Sequence, residues 1–138
     1  METFLFQLRK LPEKSLVLTV RTLLSEAASE MPCSTGPATV ILKKKPVKKG
    51  VNDLIDAGEI FDTVILDPPR QGAFDIVSML PGLGAGQVIY ISCNPATLAR
   101  DLAILCTKGY KLSYLAPVDM FPHTHHMESV ALLKRTPQ

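Results

Sequence analysis

A chain of 138 residues with 46% hydrophobic and 20% charged residues is long enough to bury one core and reads as a single soluble globular domain. No apolar run approaches the roughly 20 residues of a membrane-crossing helix, and Glu2, Arg9 and Lys10 flank only a short apolar patch, so neither a membrane span nor a signal peptide is expected. Cys33, Cys93 and Cys106 cannot all pair within one chain and fit no zinc spacing, which leaves a reducing, cytoplasmic setting as the natural reading.

The first half carries weak signals. Residues 4–8 and 15–20 have strand chemistry, or that of one strand with a short helix, and Pro12 separates them. Arg21 to Met31 is rich in helix formers and stops before Pro32. Residues 33–37, CSTGP, read as a turn, and Ala38 to Lys44 returns to strand chemistry. Five lysines then fall within Lys43–Lys49, KKKPVKK. They can attract a phosphate backbone, but with no arginine or aromatic interleaved the run reads rather as a solvated loop. VNDLIDAGE predicts a short helix capped by Asn52 or Asp53 and ended by Gly58. The charge is uneven, with nine basic against six acidic residues over 1–58 and six against seven over 59–138.

From residue 60 the pattern sharpens. Thr63 to Leu66 is a buried-strand run ending on Asp67, and Pro68 and Pro69 stop the ladder there. Phe74 to Leu80 can form a helix, and Pro81, Gly82, Gly84 and Gly86 turn the chain back into a strand over Val88–Ile91. That strand stops at Cys93. Leu98, Leu102 and Leu105 recur at helical spacing up to Gly109, with Thr97 as N-cap or Pro95 marking the first turn. The unit reads as βαβ with a right-handed crossover, which puts Asp67 and Cys93 at the carboxyl ends of neighbouring strands. Residues 110–121 supply another strand, a polar loop follows, and Ser129 to Arg135 forms the last strand. With no helix-length segment between them, these two strands are predicted to pair antiparallel.

An isolated cysteine is most often a buried structural residue. Here three motifs say otherwise. DPPRQG from Asp67, SCNPATLARDL from Ser92 and DMFPHTHHMES from Asp119, in this order and spacing, resemble the catalytic half of the RNA uracil-C5 methyltransferases over residues 60–136. Those enzymes use S-adenosylmethionine to make 5-methyluridine in transfer or ribosomal RNA. The resemblance implies a Rossmann-like methyltransferase sheet ending in an antiparallel strand pair.

It also implies a chemistry. Carbon 5 of uracil is a poor nucleophile, and a thiolate adding to carbon 6 activates it through an enolate-like intermediate. The resemblance gives that nucleophile to Cys93 and gives Glu128 the removal of the carbon-5 proton that releases the enzyme. It places Asp67 beside cofactor and target base, and Asn94 in the orientation of the cysteine loop. Arg70 can reach phosphate or pair with an acid. His123, His125 and His126 share one loop and lack a second group of ligands, so RNA contact or loop structure is expected there, and no metal.

The chain departs from the family upstream. Residues 1–58 contain no glycine-rich cofactor turn, Gly84–Gly86 lies in the wrong place for one, and neither the accessory RNA-binding barrel nor the iron–sulfur cysteine set is present. The expectation is one α/β domain over 1–138, with 1–58 divergent or truncated and 59–138 the catalytic half. A missing N-terminal segment would then supply the cofactor wall. A non-catalytic remnant that binds RNA or a partner is the alternative.

Overall fold

The computed structural model describes the backbone of residues 4–9, 14–19, 31–32, 39–44, 46–119 and 127–137, and the side chains of residues 46–119 and 127–137. Among the described residues, eight strands form one mixed sheet: β1 (Phe4–Arg9), β2 (Lys14–Thr19), β3 (Met31–Pro32), β4 (Thr39–Lys44), β5 (Thr63–Asp67), β6 (Gln87–Ser92), β7 (Tyr110–Val118) and β8 (Glu128–Arg135). Their order across the sheet is β3-β4-β1-β2-β5-β6-β8-β7. β2 runs parallel to β5 and β5 parallel to β6. β1 is antiparallel to both β2 and β4, so β4 points the same way as β2, β5 and β6. The carboxyl ends of these four strands therefore lie at one edge.

The period-2 pattern of the strands decides what is buried. Val64 pairs with Val88 and Leu66 with Tyr90, and β8 adds Leu133 and Ala131 on the same face. All six are essentially inaccessible. Against them pack Val51 and Leu54 of α1 (Val47–Asp56), Val77 of α2 (Phe74–Val77), and Leu98, Leu102 and Leu105 of α3 (Pro95–Thr107). Each such side chain contributes about 1.5–3 kcal/mol through burial. The other face, represented by Ile65, Ile89 and Leu132, is only half-buried among the described residues. The predicted βαβ unit and the final antiparallel pair are both present, the latter with an irregularity between Leu112 and Tyr114.

Three helix expectations need correction. α1 starts at Val47, inside the lysine run, and its N-cap is Pro46 with no side-chain cap. Asn52 and Asp53 lie exposed along it instead of capping it. The physical reason is that Val47, Val51, Leu54 and Ile55 form one apolar stripe, which extends the helix upstream and puts Lys48 and Lys49 on its exposed face. Gly58 does end it, at φ +67°, with Gly58 N–H donating to the Ile55 carbonyl and Glu59 N–H to that of Leu54. α2 is shorter than predicted, because Pro81 follows and the chain goes on as a 3-10 turn over Leu80–Leu83. α3 is capped by Asn94, with Pro95 in its first turn; Thr97 is already inside the helix.

The predicted helix over 21–31 lies outside the described residues except for Met31, which belongs to β3, and so does the turn over 33–37. Among the described residues no helix is long and apolar enough to cross a membrane.

Candidate active site

Strand direction and register bring the candidate residues together. Asp67 is the last residue of β5, and Cys93 directly follows β6, its parallel neighbour. β8 runs antiparallel to β6, and their last pair is Ser92 with Ser129. Cys93 and Glu128, the first residue of β8, each lie one residue beyond that pair, at the same end of the two strands. Glu128 is buried, while Cys93 and Asp67 are half-buried. The backbone thus brings Cys93 and Glu128 to the edge where Asp67 ends its strand.

The turn that presents Cys93 is tied on both sides of it. Asn94 N–H donates to Ser92 Oγ (3.1 Å), and Ser92 Oγ donates to the Asn94 carbonyl (3.1 Å). Asn94 Oδ1 accepts from Ala96 N–H (3.1 Å), taking up one of the free donors of the first helical turn. Asn94 Nδ2 meanwhile donates to the Arg70 carbonyl (3.1 Å). These bonds fix the backbone on both sides of Cys93. Arg70 is exposed, and its carbonyl joins the loop after Asp67 to the cysteine turn. His123, His125 and His126 lie outside the described residues, and among the described residues no three His, Cys, Asp or Glu side chains form a metal cluster.

Sequence reasoning missed the clamp that holds the loop 68–73. Asp101 of α3 is fully buried, and its Oδ2 accepts from Ala73 N–H (2.6 Å) and from Tyr90 Oη (2.6 Å). Its Oδ1 accepts from Arg100 Nε (2.9 Å), with Arg100 Nη2 at 2.7 Å. Arg100 Nη2 also donates to the Gln71 carbonyl (2.9 Å), and its guanidinium lies 5.3 Å from the centre of the Phe74 ring. The Thr97 hydroxyl proton lies between the carbonyls of Arg70 (3.0 Å) and Asn94 (3.2 Å). Gly72 fits under this clamp only without a side chain. Its φ is +81°, and a Cβ there would sit 2.6 Å from both Arg100 Nη2 and Asp101 Oδ2. One signal was available: Asp101 stands three residues after Leu98 and four before Leu105, on the apolar stripe, where a carboxylate needs buried partners.

Burial pushes the Tyr90 phenol well above its usual range, and its hydrogen bond to Asp101 pushes the same way. Burial also raises Tyr110, whose hydroxyl donates to the Ala85 carbonyl (2.8 Å). Both phenols stay protonated in the folded chain at a pH where the unfolded chain, with tyrosines near pH 10, has begun to lose those protons. Their contribution is therefore complete below about pH 10 and is lost as pH rises toward the folded values. Tyr90→Phe should remove about one proton from the alkaline slope, roughly 1.4 kcal/mol per pH unit. Denaturant unfolding at stepped alkaline pH measures this, and an unchanged slope would show that Tyr90 ionises freely in the folded state.

A cofactor at this edge would also need the strand beside β5 on the side away from β6. That strand is β2, and ligands of open α/β sheets sit beyond such carboxyl ends. The sequence after it, Val20, Arg21, Thr22, has no glycine, and the first glycine of the chain is Gly36. The residues present thus offer Asp67 as an acceptor without a backbone turn for S-adenosylmethionine, and do not fit the whole cofactor.

Comparison with known proteins identifies a family for this region. A family model described as tRNA (Uracil-5-)-methyltransferase matches residues 41–136, taking in α1 as well as β5 to β8. The 23S rRNA (uracil(1939)-C(5))-methyltransferase RlmD of Vibrio parahaemolyticus is 54% identical over 80 residues, 58% of this chain and 18% of that protein. Its namesake from Hahella chejuensis is 53% identical over 75 residues, 54% of this chain and 17% of that protein. That of Acinetobacter baumannii strain SDF is 49% identical over 79 residues, 57% and 17% of the two chains. The matched stretch is thus less than one fifth of those relatives. The family match takes in both strand ends, the clamped loop and the C-terminal strand pair, and by that match the chain belongs to the tRNA (uracil-5-)-methyltransferase family.

Proposed function

We propose that this chain carries the catalytic half of an enzyme that methylates carbon 5 of a uridine in transfer or ribosomal RNA. The observation that carries the reading is the strand arrangement that brings Cys93, directly after β6, and Glu128, at the start of β8, to the edge where β5 ends on Asp67. Cys93 Sγ adds to carbon 6 of the uracil, and the electron pair of the 5,6 double bond moves toward the carbonyl, making carbon 5 nucleophilic. When carbon 5 holds the new methyl group, Glu128 takes its remaining proton. The double bond re-forms and the thiolate leaves. S-adenosylmethionine would supply the methyl group where a complete cofactor half holds it. Asp67 offers it one acceptor in a Rossmann-like fold whose N-terminal half, residues 1–58, is divergent, with residues 59–138 as the catalytic half.

The missing glycine turn favours a second reading, an RNA- or partner-binding remnant that has kept the sheet and loops. Two measurements separate them. Titration calorimetry of the chain with S-adenosylmethionine should show weak binding or none, and micromolar affinity would mean that the N-terminal half holds an unrecognised pocket. A chimera in which a relative's glycine-turn half precedes residues 59–138 should form 5-methyluridine in RNA, detected by nucleoside mass spectrometry. A folded chimera that binds both cofactor and RNA but forms none would leave the remnant reading.

A further inference from the structure

The lysines of residues 43–49 are the strongest charged feature that the proposed chemistry does not use. Lys43 and Lys44 end β4, and β4 points the same way as β5 and β6. They therefore stand at the edge that carries Asp67 and Cys93. Four strand spacings separate β4 from β6 through β1, β2 and β5, which at about 4.8 Å each is roughly 19 Å. α1 begins directly after, with Lys48 and Lys49 exposed in its first turn.

Folding does not account for cations at that place. A helix N-terminus carries partial positive charge, so lysines in the first turn are unfavourable there, and this turn has no acidic residue to offset them. Lys48 Nζ does lie 3.3 Å from Asp75 Oδ2, but the two side chains are 63% and 62% exposed, and such pairs contribute little. Lys48 also borders an open groove of about 340 Å³ whose other wall is the loop 71–76, the continuation of the segment bearing Asp67 and Arg70. The charge thus borders the site.

We propose that the lysines at the end of β4 and the start of α1, Lys43, Lys44, Lys48 and Lys49, begin a track for the phosphate backbone of single-stranded RNA that follows the carboxyl edge of the sheet to Cys93. A strand held by these lysines presents a nucleotide roughly 19 Å further on to the thiol, with affinity from charge and no reading of bases. The inference rests on the reading of RNA as the substrate and adds the surface that holds it.

The test is the salt dependence of binding of the 138-residue chain to a uridine-containing single-stranded RNA oligonucleotide. Each neutralised phosphate contributes about −0.7 to the slope of log affinity against log salt. Changing Lys43, Lys44, Lys45, Lys48 and Lys49 to Gln should flatten the slope by up to about 3.5 and weaken binding at low salt at least about tenfold. The same five positions as Arg should keep the parent slope, which separates lost charge from a damaged fold. Lys111 and Lys134 face each other at the opposite edge, level with Gln87, and serve with Lys108 as the control. Lys108→Gln, Lys111→Gln and Lys134→Gln together should leave the slope nearly unchanged. Equal slopes for the parent and the five-Gln variant would overturn the track and leave RNA binding standing, as would equal flattening by the control. A parent chain that binds no RNA also overturns it, whereas the methylation reading is decided separately by 5-methyluridine formation in the chimera.

Discussion

Cys93→Ala is expected to abolish both methyl transfer and any covalent protein–RNA adduct, whereas Glu128→Gln should let a methylated adduct accumulate. The asymmetry follows from the order of the steps. Without the thiolate, carbon 5 is never activated, and the rate should fall by about 10⁴ or more. Without the base, attack and methylation still proceed, but the carbon-5 proton leaves slowly, and loss of a general base costs about 10²–10⁴. Glutamine keeps the size of the buried Glu128 side chain, so the fold should persist. A denaturing gel with labelled RNA and cofactor, run on the chimera and both variants, reads the two effects separately. Normal turnover in Glu128→Gln with no adduct would show that the base lies elsewhere and leave Cys93 in place.

The largest stability effect is expected at Asp101. Asp101→Ala leaves Tyr90 Oη and Ala73 N–H without their buried acceptor and frees Arg100 from its carboxylate. Each buried donor so orphaned costs about 1–3 kcal/mol. Arg100 is partly exposed and can turn to water, so its share is small. A total of about 2–4 kcal/mol is a large fraction of the 5–15 kcal/mol typical of a domain. Asp101→Asn keeps one acceptor oxygen and should lose less. Urea unfolding of the three proteins tests this, and a loss below about 0.5 kcal/mol in Asp101→Ala, the range of ordinary surface changes, would mean that the clamp does not hold the loop. Hydrogen exchange at the Ala73 amide should quicken in both variants, since its partner is the altered group.

What could be read from the sequence followed the strength of local signals. Asp67 before two prolines and Cys93 before Asn94–Pro95 mark strand ends by chemistry alone, and the glycines between them fix the return of the chain. Two strands without a helix between them were expected to pair antiparallel, as they do, while Glu128 was singled out by the family resemblance. The pairing that brings Glu128 to the Cys93 end of β6 was not legible, because it depends on β6 and β8 choosing each other across the sheet. The start of α1 was misplaced because its apolar stripe runs beneath the lysines, and the eye follows the charge. The clamp escaped because the place of Asp101 on the apolar stripe of α3 signals a need for buried partners without saying which they are. Its partners, Tyr90 and the Ala73 amide, come from segments that only the fold brings together.

The central claim is that Cys93 attacks the uracil, and its most direct test is to find the bond. RNA carrying 5-fluorouridine offers no proton at carbon 5 for Glu128 to remove, so the adduct cannot resolve after methylation. Incubated with the chimera and cofactor, digested and sequenced by mass spectrometry, the adduct should map to the peptide containing Cys93 and carry one methyl group. It should be absent from Cys93→Ala. An adduct on Cys106, the exposed cysteine of α3, or one that survives Cys93→Ala, would contradict the account.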